Sequence, residues 1–152
     1  MDCQISALQK ARASYQPKLP PALRAGNVKV VLGAPTESAS DQEEIKKLFP
    51  HTYGQPVATL AEGDGSLSTE PLKVGVVLSG GQAPGGHNVI AGLFDALKAA
   101  NPESRLFGFL KGPGGIIKGK YKELTSDVID RYRNTGGFDM IMSGRDKIEK
   151  PE

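Results

Sequence analysis

The stretch Ser79-Gly80-Gly81-Gln82-Ala83-Pro84-Gly85-Gly86-His87-Asn88 is where this chain is best equipped for chemistry. It holds four glycines and one proline and no acidic side chain. Glycines without Cβ atoms adopt positive φ and let an anion approach main-chain amides, so the stretch reads as a tight turn able to close on a phosphate. An aliphatic run precedes it and an amphipathic segment follows. In a strand–turn–helix unit of that kind, ligands sit beyond the carboxyl end of the strand, where a helix start offers free N–H groups and a favourable dipole. Gly80 and Gly81 are therefore the candidate main-chain contacts to the anion, Gly85 and Gly86 widen the turn, and Pro84 stiffens it. Two common nucleotide templates do not fit. GxGxxG needs a single residue between its first two glycines, and Walker A needs Lys and Ser or Thr where this chain has His87 and Asn88.

Other residues near the turn carry weaker signals. An imidazole titrates near neutrality, so His87 could serve as a base or metal ligand. No second ligating cluster adjoins it in sequence, and a positional role at the helix start is expected instead. The loop 111–120 carries Lys111, Lys118 and Lys120 among four glycines and reads as a flexible connection with solvated lysines. Asp139, at the start of an expected strand, and Asp127, near a helix start, read as structural.

The elements that must position the turn follow from periodicity. Leu72-Lys73-Val74-Gly75-Val76-Val77-Leu78 is short and rich in branched residues, as expected of a strand buried on both faces of a parallel sheet. Asn88 can cap a helix whose Val89, Ile90, Leu93, Phe94 and Leu97 share one side. Arg105 to Leu110 and Asp139 to Ser143 read as second and third strands, with a helix over Thr125 to Arg133 between them. This order predicts an α/β fold: a right-handed, Rossmann-like, three-layer parallel sheet, incomplete, over residues 71–152. Residues 1–70 read as an irregular N-terminal extension, interrupted by prolines and closed by a turn-rich linker at 61–71. Within it, Val28 to Leu32 could be a strand. Asp41 to Phe49 reads as a helix, with Ser40 and Glu43 as a capping box and Pro50 as its stop.

With 152 residues there is enough chain for one core and too little for two. A net charge of +2 gives no sign of a nucleic-acid surface. Cys3 is the only cysteine, so no internal disulfide forms, and a reducing, cytoplasmic compartment is expected. Nowhere do ~18 apolar residues follow one another, so no membrane partner is expected.

Lys73-Val74-Gly75-Val76-Val77-Leu78 and the turn after it, through Asn88 to Leu97, closely resemble the start of the phosphofructokinase family, specifically its pyrophosphate-dependent branch. ATP-dependent members usually place an aspartate after the paired glycines and GLN or GMN after the proline; here Gln82 and Gly86-His87-Asn88 stand in those places. The resemblance continues through Gly108-Phe109, Lys111 to Ile116, Glu123-Leu124-Thr125, Tyr132-Arg133-Asn134, Gly136 to Asp139 and Ser143 to Ile148. It is dense over 72–150 and looser over Asp41 to Pro56. It implies an enzyme that reversibly transfers a phosphoryl group from pyrophosphate to the 1-hydroxyl of fructose 6-phosphate with magnesium, in homo- or hetero-oligomers of phosphofructokinase subunits. It further implies that Gly80 is the main-chain contact to the phosphoryl donor, with Gly81 beside it, and that Arg145 reaches the same phosphates from the end of the third strand. A planar guanidinium suits that task, because its donors offset charge spread over phosphate oxygens.

Phosphoryl transfer also needs a carboxylate at the acceptor hydroxyl and carboxylates for magnesium. The family carries these in GGDD-type and TIDGD-type segments, followed by an MGR-type sugar-phosphate site, and none occurs among these 152 residues. The expectation is thus an N-terminal part of such an enzyme, without catalytic residues of its own and inactive alone, whose magnesium ligands lie downstream. The alternatives are a non-catalytic regulatory subunit of the same assembly, in which the paired glycines are usually disrupted, or a non-functional truncated product.

Overall fold

Ser6 opens the first helix, α1 (Ala7–Ser14), by a reciprocal exchange: its hydroxyl accepts the Gln9 N–H, and the Gln9 amide oxygen accepts the Ser6 N–H. The computed structural model describes residues 6–24, 27–65 and 69–149; Cys3, the middle of the expected linker at 66–68 and the last three residues lie outside it. Among the described residues, those up to Pro17 and from Thr69 onward form one unit, and those from Lys18 to Gly65 form another.

The second unit contains α2 (Pro21–Arg24), β1 (Val28–Pro35), α3 (Gln42–Leu48) and β2 (Pro56–Glu62). The expected strand at Val28 to Leu32 is present and longer. Its partner β2, not foreseen, pairs with it antiparallel in the register Val30↔Leu60. The expected capping box of α3 does not form. Asp41 occupies the cap with φ 51, the Ser40 hydroxyl is turned to the Asp41 carboxylate, and no side chain caps the helix. Leu48 and Phe49 at its end are exposed.

The other unit holds the core. β3 (Lys73–Val76) and β4 (Leu78–Ser79) are two short pieces of the expected first strand. α4 (Gly86–Ala100) follows, and its Ile90, Phe94 and Leu97 are buried, as the apolar stripe predicts. β5 (Arg105–Phe109) pairs parallel with β3 in the register Val74↔Leu106. The chain continues through α5 (Pro113–Ile117), β6 (Tyr121–Glu123), α6 (Ser126–Tyr132) and β7 (Ser143–Gly144). β6 pairs antiparallel with β5, which departs from the expected all-parallel order. The departure has a short-range cause. The chain turns back through α5, and only an antiparallel neighbour can be reached without a long crossover.

The outcome is a layered α/β unit with a partial Rossmann-like arrangement. Ile90, Phe94 and Leu97 of α4 pack with Leu106, Leu124, Ile129, Met140 and Ile141. Burial on both faces of β3 does not occur. The face opposite the core carries Lys73, Gly75, Arg105, Phe107, Phe109 and Tyr121 around an open recess, and no helix among the described residues lines it. Arg133 ties the two core helices together by a bidentate pair with Asp95 of α4 (2.8 and 3.0 Å) and a bond to Asp130 of α6 (3.1 Å). Asn134 donates to the Arg12 and Tyr15 carbonyls at the end of α1, at 2.8 and 2.9 Å.

The loop 111–120 is less flexible than expected. Lys118 and Lys120 are exposed, but Gly112 to Gly115 are buried. A Cβ on Gly112 would come within 2.3 Å of the Gly144 nitrogen, so this pair is held backbone against backbone. Ile129 is fully buried, and Ile129→Ala is expected to cost about 2–5 kcal/mol of folding stability. Urea denaturation followed by circular dichroism measures the loss.

Candidate functional site

Parallel pairing of β4 with β7, in the register Leu78↔Ser143 and Ser79↔Gly144, brings two distant segments side by side. One step further the Gly80 N–H donates to the Gly144 carbonyl at 2.8 Å. Gly80 has φ +106, a conformation that costs glycine nothing and other residues much. The Gly80 amide is therefore already committed within the protein and is not the open donor expected of it. Its contribution is the bend that turns the chain away from the strand.

Gly81 fits the expectation better. Its N–H, like those of Gln82 and Ala83, has no hydrogen-bond partner among the described residues. The Arg145 guanidinium lies against it: a Cβ at position 81 would stand 3.0 Å from Nη2. Arg145 itself makes no ion pair or hydrogen bond among the described residues. Of the three expected contacts, the structure thus sets an uncommitted amide at Gly81 beside an uncommitted guanidinium at Arg145, on a scaffold fixed by Gly80. A recess of about 370 Å³ is lined by Gly81 but not by Arg145, and lies between Ser79, Gly81, Pro84 and Gly86 on one side and Phe138 and Ser143 on the other.

The start of α4 is not the open anion site expected. Gly85, with φ +98, is the cap residue, and Asn88 sits inside the helix. The Gly85 N–H donates to the Gly136 carbonyl at 2.6 Å and the His87 N–H to the Gly137 carbonyl at 2.7 Å. Asn88 turns back to accept the Gly136 N–H at 3.2 Å. The 136–137 backbone has thus taken two of the donors at the helix start that an anion would use.

Nor is Asp139 to Ser143 a strand. Phe138 to Ile141 form a turn in which the Met142 N–H reaches the Phe138 carbonyl at 2.8 Å, and Met142 has φ +61. Only Ser143–Gly144 is extended, and Arg145 follows directly.

His87 is positional, as expected, and its partners are specific. The ring is 1% exposed and lies against Tyr132, with centroids 4.7 Å apart. Thr135 Oγ1 spends its proton on the Tyr132 carbonyl at 2.6 Å, so at 2.5 Å from Nδ1 it must accept the imidazole proton. That leaves Nε2 bare, and it accepts the Met140 N–H at 3.0 Å. Burial pulls the imidazole below its ordinary 6.5, with Asp139 pulling the other way more weakly. Sequence reasoning missed Thr135, Gly137 and Met140. The paired glycines 136–137 were the available signal, since a Cβ on Gly137 would come within 2.9 Å of the imidazole Cε1.

Chemically, the arrangement offers an oxyanion one main-chain donor and one planar cation, next to a recess with two serines on its rim. No protein-family model matches the chain. Curated relatives match nearly all of it. The chain is 63% identical over 147 residues to the pyrophosphate--fructose 6-phosphate 1-phosphotransferase of Porphyromonas gingivalis, covering 97% of the chain and 27% of that protein. It is 54% identical to subunit beta 2 of the enzyme of that name from Arabidopsis thaliana, over 97% of the chain and 26% of the relative. It is 46% identical to subunit alpha of the enzyme of that name from Solanum tuberosum, over 98% and 26%. The resemblance to the pyrophosphate-dependent branch of the phosphofructokinases is therefore real and extends beyond 72–150 to nearly the whole chain, which spans about a quarter of the length of these relatives.

Two outcomes are expected. Arg145→Ala weakens binding of inorganic diphosphate about 10- to 100-fold by titration calorimetry, the loss of charge-assisted hydrogen bonds; Gly81→Val, which intrudes on the guanidinium, weakens it in the same direction. Separately, because the folded state holds His87 below 6.5, the unfolded chain binds the proton more readily. Stability from this group is full above about pH 6.5 and falls as the pH drops below it, as urea midpoints across pH 5 to 8 would record.

Proposed function

We infer that this chain is the phosphoryl-donor-binding part of a pyrophosphate-dependent phosphofructokinase, a cytoplasmic enzyme of carbohydrate metabolism. The observation that carries this is the close approach of the unpaired Arg145 guanidinium to Gly81, whose N–H is uncommitted and which lines an open recess. Pyrophosphate is the donor that fits best, since the chain's relatives carry it in their names and Gln82 stands where ATP-dependent enzymes usually have an aspartate. The acceptor is fructose 6-phosphate and the product fructose 1,6-bisphosphate, in a reversible step.

In this role the two groups have different tasks. The Gly81 amide points a fixed dipole at a phosphate oxygen, and Arg145 offsets charge that spreads over the donor oxygens as the bond to the transferred group lengthens. Both are set in place by β-pairing before the donor arrives, so little ordering is left to be done at the moment of binding. The resemblance implies magnesium with ligands downstream of these residues, and among the described residues no group of three or more His, Cys, Asp or Glu gathers. Its ligands, and the carboxylate that takes the acceptor proton, are assigned to other parts of the enzyme. Subunit names among the plant relatives support assembly with other phosphofructokinase subunits. No helix among the described residues is long and apolar enough to cross a membrane. A regulatory role is the weaker alternative, because the paired glycines are intact and the missing side chain at Gly81 is what leaves room for the guanidinium.

Purified 1–152 mixed with pyrophosphate, fructose 6-phosphate and magnesium should bind diphosphate by calorimetry yet release no fructose 1,6-bisphosphate in a coupled assay. Product formed at enzyme-like rates would overturn the division of labour, and absence of any diphosphate binding would overturn the donor site.

A further inference from the structure

His87 Nε2 faces two groups that make opposite demands on it. The Met140 N–H, at 3.0 Å, needs a bare nitrogen to accept its hydrogen. The Asp139 carboxylate, with Oδ1 also at 3.0 Å, needs a protonated one. In the neutral tautomer fixed by Thr135, Met140 is satisfied and Asp139 is an acceptor facing an acceptor, tolerated because its side chain is 73% exposed and solvated. Adding one proton reverses the preference. The new Nε2–H is drawn to Asp139, and the Met140 N–H loses its partner in a site closed to water.

We propose that His87 is the positioning residue of the donor site: its neutral ring latches the 135–142 segment, which delivers Arg145 to Gly81, and protonation opens that latch by exchanging Met140 for Asp139. The route from ring to guanidinium is short. Met140 N–H is held by His87, the Ile141 carbonyl by the Lys111 N–H at 2.8 Å, and the Gly144 carbonyl by the Gly80 N–H. Opening the first frees the middle of the segment, while Gly136 and Gly137 stay bonded to the start of α4, Ile141 to Lys111 and Gly144 to Gly80. The groups facing the ring are few. α6 contributes the Tyr132 ring, the 133–142 segment contributes Asp139 and the Thr135 hydroxyl, and α4 has no titratable side chain other than His87 itself before Asp95. Asp139 is thus the one charge set directly against the imidazole among the described residues.

The latch itself does not need the donor-site assignment; only its consequence for Arg145 rests on it. The test is amide hydrogen exchange by NMR on the 152-residue chain between pH 5 and 8, with each rate divided by its intrinsic value. The Met140 amide should lose protection about tenfold per pH unit as the pH falls toward the His87 midpoint, by linkage to one proton, while the amides of Ile90 and Ile129 stay protected. The His87 ring nitrogens should report an Nδ1–H tautomer at pH 8. Asp139→Asn, at an exposed side chain, removes the negative charge that draws the proton to Nε2 and should move the Met140 transition to lower pH. Met140 protection that does not change with pH, that falls only together with Ile90 and Ile129, or that is the same in Asp139→Asn overturns the latch. A transition at Met140 in a chain that binds no inorganic diphosphate at any pH supports the latch and overturns the donor site instead.

Discussion

The bond from the Gly80 N–H to the Gly144 carbonyl closes the contact on which the candidate site depends. It extends the pairing of β4 with β7 by one step, past the point where either strand ends, and fixes the Gly81 amide against the residue that follows Gly144. The committed amide is one that could have held an anion. The same pairing sets the uncommitted Gly81 amide near the Arg145 guanidinium. The free amide of the pair is therefore that of Gly81, not Gly80.

Close backbone packing around that bond explains why so many glycines gather here. A Cβ on Gly144 would come within 2.3 Å of the Lys111 carbonyl oxygen, and one on Gly108 within 2.4 Å of Ile141 Cγ2. These are approaches of main chain to main chain and to core that no side chain would permit. The glycines of the 111–115 loop and of 144 thus belong to the scaffold, whereas Gly81 belongs to the site. Composition alone does not separate the two roles.

The end of α4 shows the same economy. A helix start with free N–H groups would attract an anion, but the Gly136 and Gly137 carbonyls accept the Gly85 and His87 N–H groups, and His87 holds the same segment from inside. The helix therefore acts as an anchor for the chain that carries Arg145. The unit's sheet is dressed with helices on one face only, and Phe107, Phe109 and Tyr121 line the other. An α/β sheet of this kind is normally covered on both faces, so this face is the least complete part of the fold as described.

What could be read from the sequence alone was whatever near neighbours encode. The apolar spacing of Ile90, Phe94 and Leu97 specified α4 and its buried side, although Val89, counted with them, is exposed, and branched residues marked β3. The glycine-rich turn announced its chemistry through backbone freedom, and the motifs of residues 72–150 announced a kinship that the relatives bear out. Only the tertiary structure decided which amide stays free, that Arg145 reaches Gly81, that β6 runs antiparallel, that Asp139 to Ile141 turn where a strand was expected, and that His87 grips Met140. The free amide, the reach of Arg145 and the grip of His87 depend on pairing between residues far apart in the chain, and periodicity carries no information about such pairings because it registers only what recurs within a turn or a pleat.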